Sequence, residues 1–237
     1  MSAGVDVDAF TATLLDEATT AFKVLRETGT TTASATLSFV VRAPGEQLVA
    51  AVKHPDPLRP GARPEVVLTS ILDGPDALRP WGDGLRYAAV FAAHPWLNAI
   101  SHVHTPYLAA WGQTHRPLPI RYVPVQRDTL ADELPVYLDR REAEDAFIIR
   151  VLDEDPEVPG ILEANGGATI WGRGGLLDLA RTILLIEEGA RAQTLAASIG
   201  GSRNYGPGVL AQQWTAMGRA DSPRAQARIA ELDAVTD

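Results

Sequence analysis

The sequence predicts a single three-layer α/β/α domain. β-rich segments gather in the middle of the chain. Helical periodicities stand before, between and after them, and neither an internal repeat nor a low-complexity linker divides the 237 residues. A chain of this length buries a sizeable core in one unit, so residues 1–237 are read as one domain.

Taken in order, residues 8–28 carry Phe10, Leu14, Ala18, Phe22 and Leu25 near helical period, with Gly29 as a natural stop. The β-rich segments Thr36–Val41, Gln47–Val52 and Glu65–Leu72 follow, the first two joined by a Pro44-Gly45 turn. The proline-rich stretch from His54 to Pro64 is a loop. Asp83 to Ala93 reads as a helix with Leu85, Ala88, Ala89 and Phe91 inward. The apolar run Trp96-Leu97-Asn98-Ala99-Ile100 opens a buried strand. Tyr107 to Gln113 is a short helix, Ile120–Val125 a strand, and Arg140 to Leu152 a helix. Gly160–Ala164 and Ala168–Trp171 form a strand pair around a Gly-Gly turn. A long helix runs from Leu176 to Ile199, stopped by Gly200-Gly201, and the tail from Pro207 is helical.

Composition narrows the function classes. Apolar residues make up 46 % and charged residues 22 %, as in an ordinary globular protein. A net charge of −9, a pI near 5.0 and the lack of any Lys/Arg cluster argue against nucleic acid as a partner. With no cysteine, disulfides, thiolate zinc and a thiol nucleophile are excluded. No run approaches a membrane span, and the acidic start, Met1 to Asp8, lacks the apolar core of a signal peptide, so a cytoplasmic location is expected.

The buried strand ends in Ser101-His102-Val103-His104-Thr105. Side chains at i and i+2 leave a strand on one face, so both imidazoles point the same way, close enough to share a cation. Imidazole suits Zn, Fe, Mn, Ni and Cu. Thr105-Pro106 stops the strand at once, which puts the pair at a strand terminus where sites gather. Two ordinary strand-end histidines are the competing reading. His54 reads as a surface residue, His94 as a helix-end cap, and the Glu187-Glu188 face as solvated surface. Gly172-Arg173-Gly174-Gly175 is either an anion cradle at the start of the long helix or a tight turn.

From about residue 10 to 205 the chain resembles the class II aldolase/adducin family, which includes fuculose-phosphate aldolase and ribulose-phosphate 4-epimerase. The resemblance rests first on Leu85–Pro119: a helix ending in His94-Pro95, the His102-Val103-His104 strand, Pro106-Tyr107-Leu108-Ala109-Ala110-Trp111 and Pro117-Leu118-Pro119. It rests next on Ile161-Leu162-Glu163-Ala164-Asn165-Gly166-Gly167 with Trp171-Gly172 and the long helix, and on Thr36-Leu37-Ser38. It implies a three-layer fold with a mainly antiparallel central sheet. It also implies that His102 and His104 bind one divalent ion (Zn, Mn or Fe). Nineteen residues before His102, at the family's acidic position, stands Asp83, a general acid/base and metal ligand; an Asp there also suits a helix N-cap.

The departures matter as much. Gly166 occupies the position of the family's third histidine. Ala35-Thr36 and Trp81-Gly82 replace its phosphate-binding donors, which speaks against a sugar phosphate and leaves Thr36 as a substrate contact. Asp83, His102 and His104 are the ligand types of a two-histidine, one-carboxylate site. His115 and Arg121 are further substrate-binding candidates, the arginine as a carboxylate partner. Tyr205 lies where some relatives contribute a catalytic tail tyrosine to a neighbouring subunit. The resemblance further implies a homotetramer, and Trp81, Trp96, Trp111 and Trp214 near loops and element ends suit interface anchors.

The function expected on this resemblance is a metal-dependent lyase. It would cleave a carbon–carbon bond, by decarboxylation or retro-aldol reaction, in a non-phosphorylated oxygenated small acid such as a hydroxylated aromatic acid. A non-heme iron oxygenase and a non-catalytic adducin-like binding protein are the alternatives on the same fold.

Overall fold

The computed structural model describes residues 6–43, 47–59, 61–71 and 86–236. The Pro44-Gly45 turn, Trp81-Gly82 and Asp83 lie outside the described residues.

Helix α1 (Val7–Glu27) begins where the sequence placed it. Asp6 caps it by accepting from the backbone N–H groups of Asp8 and Ala9, both at 3.1 Å. Its buried stripe is Leu14, Ala18, Ala21, Phe22 and Leu25, and Gly29 takes the left-handed conformation after the last turn. Strands β1 (Leu37–Arg42), β2 (Leu48–Lys53) and β3 (Val66–Ser70) form an antiparallel meander. Helix α2 (Ala88–Ala93), ending at His94, leads to β4 (Ala99–Val103), and α3 (Pro106–Gly112) follows at once. Then come β5 (Leu118–Pro119), α4 (Val123–Asp128), β6 (Glu133–Leu134), β7 (Val136–Tyr137) and α5 (Glu144–Glu154). Strands β8 (Gly160–Glu163) and β9 (Ala168–Gly172), the long α6 (Leu176–Ala197), α7 (Pro207–Ala216) and α8 (Pro223–Thr236) complete the chain.

The main sheet has the order β3-β2-β1-β4-β9-β8-β7 and is antiparallel except for the β7–β8 pair. Its central strands are buried on both faces, which explains their near-continuous apolar runs. Register separates the faces. Phe39, Ser101 and Ile170 stand in one row, Ser38, His102 and Thr169 in the next, and adjacent rows face opposite ways. Helix α1 covers the first face through Phe22 against Phe39, ring centroids 5.6 Å apart, and α6 packs beside it. The paired helices α2 and α5 cover the second face, the one that carries His102. The three-layer α/β/α arrangement is thus observed, with the mainly antiparallel sheet that the resemblance implied.

Three expectations need correction. Ile120–Val125 does not form a strand. Pro124 takes one of the first helical positions, where its missing N–H costs nothing, and the β-branched residues around it enter α4. His54 is buried rather than superficial: its ring lies edge-on to Phe22 at 5.0 Å and Nδ1 meets the carbonyl of Pro55 at 2.7 Å. Glu187 is buried, not solvated. From α6 it accepts the hydroxyl of Thr105 at 2.5 Å and the backbone N–H groups of Tyr107 at 2.8 Å and Leu108 at 3.0 Å. It thereby does for α3 what an N-cap side chain would do, since Thr105 itself makes no capping bond.

Two of the tryptophans read as interface anchors are accounted for inside the chain. Trp214 is fully buried with Leu130, Leu210 and Ala225 in a small second cluster, its indole N–H donated to Gln126. Trp111 donates to Thr194 of α6. No helix among the described residues is long and apolar enough to cross a membrane.

Because Glu187 satisfies three donors from the segment that follows the histidine strand, Glu187→Ala should lower unfolding stability by roughly 2–3 kcal/mol, measured in urea. A loss within about 0.5 kcal/mol, the size of a surface effect, would show that water replaces the carboxylate without penalty.

Candidate active site

Strand β4 places His102 between Ser38 of β1 and Thr169 of β9. His104 lies just past the strand end, its backbone N–H bonded to the carbonyl of Thr36 at 2.9 Å. The two rings stand on one side of the chain with centroids 5.1 Å apart and planes tilted by 67°. The start of β9 presses against them: a Cβ on Gly167 would lie 2.0 Å from the Val103 carbonyl oxygen and 2.5 Å from His104 Cδ2, so only glycine fits. Burial, with His102 next to it, pushes the His104 imidazole down against the pull of Glu163. The basic form, with a lone pair to offer, is favoured.

Beside His104, Thr30, Thr31, Thr36 and Thr105 pack with Leu25, Leu37, Val103 and Ile183 around a cleft too narrow to admit a water. The Thr31 hydroxyl is buried with no hydrogen-bond partner among the described residues. Thr36 thus stands next to a predicted ligand, as its sequence position suggested.

On its other side His102 meets a buried polar network. Its Nδ1 lies 2.7 Å from Glu163 Oε1. The Thr169 hydroxyl, 3.4 Å from the same nitrogen, lies 2.9 Å from Glu163 and 3.1 Å from Glu144. Arg86 pairs closely with Glu144 and reaches Glu163 at 3.8 Å. Arg140 reaches Glu163 at 3.5 Å from the rim. Tyr87, fully buried, brings its hydroxyl within 3.4 Å of Glu144 and of Thr169. Burial by itself raises the Glu163 carboxyl; the hydrogen bond and charge of His102, then Arg86 and Thr169, outweigh it and bring the group down to about 2. Burial opposes the charge on Arg86, yet its surroundings, Glu144 and Glu163 among them, hold it protonated beyond its usual range.

Glu163, Glu144 and Arg86 were missed from sequence, although two left a signal. Glu163 interrupts the otherwise apolar Ile161-Leu162 strand. Glu144 stands at helical spacing from Phe147, Ile148 and Val151, on the inward face of α5.

Two donor sets are available to a cation. His102, Glu144 and Glu163 each present a ligand atom, all within 4.8 Å of one another. Both carboxylates in that set are already matched by guanidinium groups, and an ion there would have to displace Arg86 from Glu144. The second set is the histidine pair. Neither His102 Nε2 nor a ring nitrogen of His104 has a hydrogen-bond partner among the described residues. Two imidazoles on one side with uncommitted nitrogens are donors that suit a divalent ion and need no ion pair to be broken.

The remaining sequence candidates sit elsewhere. His115 is exposed at the turn next to Gly166, its Nε2 3.2 Å from the side-chain oxygen of Asn165. Arg121 donates to the Ser202 carbonyl at 2.9 Å and hydroxyl at 3.0 Å, and the Tyr205 hydroxyl closes on the Arg121 carbonyl. These two residues bind the tail to the body of their own chain and are joined to each other rather than to the histidines. At the start of α6, Asp178 lies against Gly174, so a carboxylate of the chain itself occupies the helix end, and the glycine run is a turn, not an anion cradle. Arg173 is stacked on Trp96, 4.1 Å from the ring centroid.

The sequence profile of the Class II Aldolase and Adducin N-terminal domain matches residues 58–194, more than half of the chain. No curated protein matches. Among solved structures, the L-fuculose 1-phosphate aldolase of Glaciozyma antarctica PI12 superposes with a TM-score of 0.64 at 16 % identity, over 99 % of this chain and 94 % of its own. An aldolase II superfamily protein from Pseudomonas syringae gives 0.61 at 17 % identity, over 94 % and 91 %. YgbL from Klebsiella pneumoniae gives 0.58 at 22 % identity, over 82 % and 93 %. At these identities the likeness is one of fold.

The depressed Glu163 carboxyl carries a pH signature. A group whose folded value lies near 2 and whose ordinary value is 4.5 stabilises the fold above pH 4.5, and that contribution disappears as pH falls toward 2. The difference corresponds to about 3 kcal/mol. Urea unfolding should therefore show the wild type losing this component across that window, while Glu163→Gln lacks it. Parallel acid profiles for the two proteins would mean that Glu163 is not held ionised by its neighbours.

Proposed function

The chain belongs to the class II aldolase and adducin family, and on that premise we propose that it is a divalent-metal-dependent lyase. Its proposed reaction is cleavage of a carbon–carbon bond, by decarboxylation or retro-aldol reaction, in a small oxygenated acid without a phosphate. The observation that carries this reading is the pair of imidazoles with uncommitted nitrogens, His102 and His104, on one side of the strand end.

His102 and His104 would hold the ion, with Zn, Mn and Fe as candidates and Asp83 as a third ligand or proton carrier. When bound, a divalent cation stabilises the negative charge that bond cleavage leaves on a substrate oxygen. The protein supplies the rest. The buried strand ends fix the imidazoles, so little reorganisation is needed when charge develops. Thr36, half-buried next to His104, offers a neutral hydroxyl group, suited to a hydroxyl or carbonyl oxygen of a substrate. A carboxylate partner is better sought in Arg140 than in Arg121. Arg140 is half exposed at the rim, 3.5 Å from Glu163 and 5.0 Å over the Tyr137 ring, so a substrate carboxylate there would share its guanidinium with Glu163, whereas Arg121 is committed to Ser202. Asp83, at the family's acidic position, is the proposed proton shuttle.

Gly166 favours a second reading, a non-catalytic binding protein, because it offers no third imidazole; the retained pair opposes it. A cytoplasmic homotetramer with sites at subunit boundaries belongs to the first reading, and light scattering of the active protein tests the assembly.

Metal analysis of protein purified without added metal should find one divalent ion per chain, lost in both His102→Ala and His104→Ala together with turnover of oxygenated acids. Asp83→Asn should keep the metal yet lower kcat about 100-fold or more, as befits proton transfer. Full metal content in the double histidine variant, or efficient cleavage of a ketose phosphate, would refute the proposal.

A further inference from the structure

The geometry points to Glu163 as the positioning residue of the site: it fixes His102 with a proton on Nδ1 and leaves Nε2 as the bare nitrogen that faces a metal. The inference rests on the proposed metal-binding role of His102 and adds the residue that prepares it.

An ionised carboxylate only accepts, so the 2.7 Å approach of Glu163 Oε1 to His102 Nδ1, with the Thr169 hydroxyl 3.4 Å from the same nitrogen, is favourable with the proton on Nδ1 and repulsive with a lone pair there. The neutral ring then has its lone pair on Nε2, the nitrogen with no partner among the described residues. A carboxylate behind a ligating histidine fixes the tautomer, holds the ring plane and raises the basicity of the other nitrogen.

Glu163 is itself tightly held. Its side chain is 3 % exposed, Thr169 lies 2.9 Å from Oε1, and Arg140 and Arg86 reach Oε2 at 3.5 and 3.8 Å. Arg86 also pairs with Glu144. Two guanidinium groups thus face two carboxylates and hold them in place.

Gly166 makes room for the arrangement. A Cβ there would lie 3.2 Å from Glu163 Cβ and 3.8 Å from an Arg140 nitrogen. The alternative, a cation among His102, Glu144 and Glu163, needs the opposite tautomer or a bare Nδ1 and the departure of Arg86.

The two arrangements are separated by long-range proton–nitrogen NMR on metal-free protein labelled with ¹⁵N-histidine, with His102 assigned by its loss in His102→Gln. The expected spectrum has His102 protonated on Nδ1 and bare on Nε2. In Glu163→Gln the tautomers should mix, and zinc affinity, measured by competition with a chromophoric chelator, should fall about 10–100-fold. Glu163→Asp should recover part of that loss. A wild-type His102 carrying its proton on Nε2 would overturn the inference, and so would unchanged zinc affinity in folded Glu163→Gln. Should Glu163→Gln fail to fold, the wild-type spectrum decides alone. Wild-type protein that binds no zinc would instead defeat the metal reading of the site, while the tautomer still decides the role of Glu163.

Discussion

A carboxylate buried in a sheet must be matched by cations or hydrogen-bond donors, and the rest of this structure is arranged around meeting that demand for Glu163. Removing one partner of such a group typically costs roughly 3–5 kcal/mol, so each element that supplies a partner is held in place by it. Strand β4 brings His102, β9 brings Thr169, the segment before α2 brings Arg86, and the loop before α5 brings Arg140. Helix α5 adds Glu144, whose charge keeps Arg86 over the sheet. The face of the sheet that carries the site is thereby tied to its covering helices by polar contacts as well as by apolar burial.

The opposite side of the strand end is arranged differently. There the backbone is fixed by the His104–Thr36 bond, by the close approach of Gly167 and by Glu187 at the start of α3. The remaining imidazole nitrogens of the pair are without partners among the described residues. His102 Nδ1 is matched by Glu163 while the other imidazole nitrogens of the pair are uncommitted, and that asymmetry distinguishes the pair from the salt-bridged network behind it.

Much of the frame was legible in the sequence because burial dictates it. The helical stripe from Leu14 to Leu25, the apolar central strands and the long helix stopped by Gly200-Gly201 follow periodicity and local stop signals. The His-x-His pair was legible for the same reason, since strand geometry alone sets its side. What escaped depends on tertiary placement. Tyr122-Val123-Pro124-Val125 has strand-forming residues, but Pro124 opens a helix there. Glu187 lies beside the exposed Glu188 in sequence, yet its burial depends on α3 presenting unpaired N–H groups to it. Glu163 and Glu144 are close only because β8 and α5 meet over Thr169. A buried charge pattern of this kind is visible in sequence as an acid in an apolar strand or on an apolar helix face, but its partner is not.

The claim on which the account turns is that the ion binds the histidine pair rather than the acidic group behind His102. X-ray absorption of the zinc-loaded protein tests this directly, because scattering from imidazole rings counts histidine ligands. The account predicts two imidazoles with Zn–N distances of roughly 2.0–2.1 Å. A single imidazole accompanied by carboxylate oxygens would move the ion to His102, Glu144 and Glu163 and contradict it.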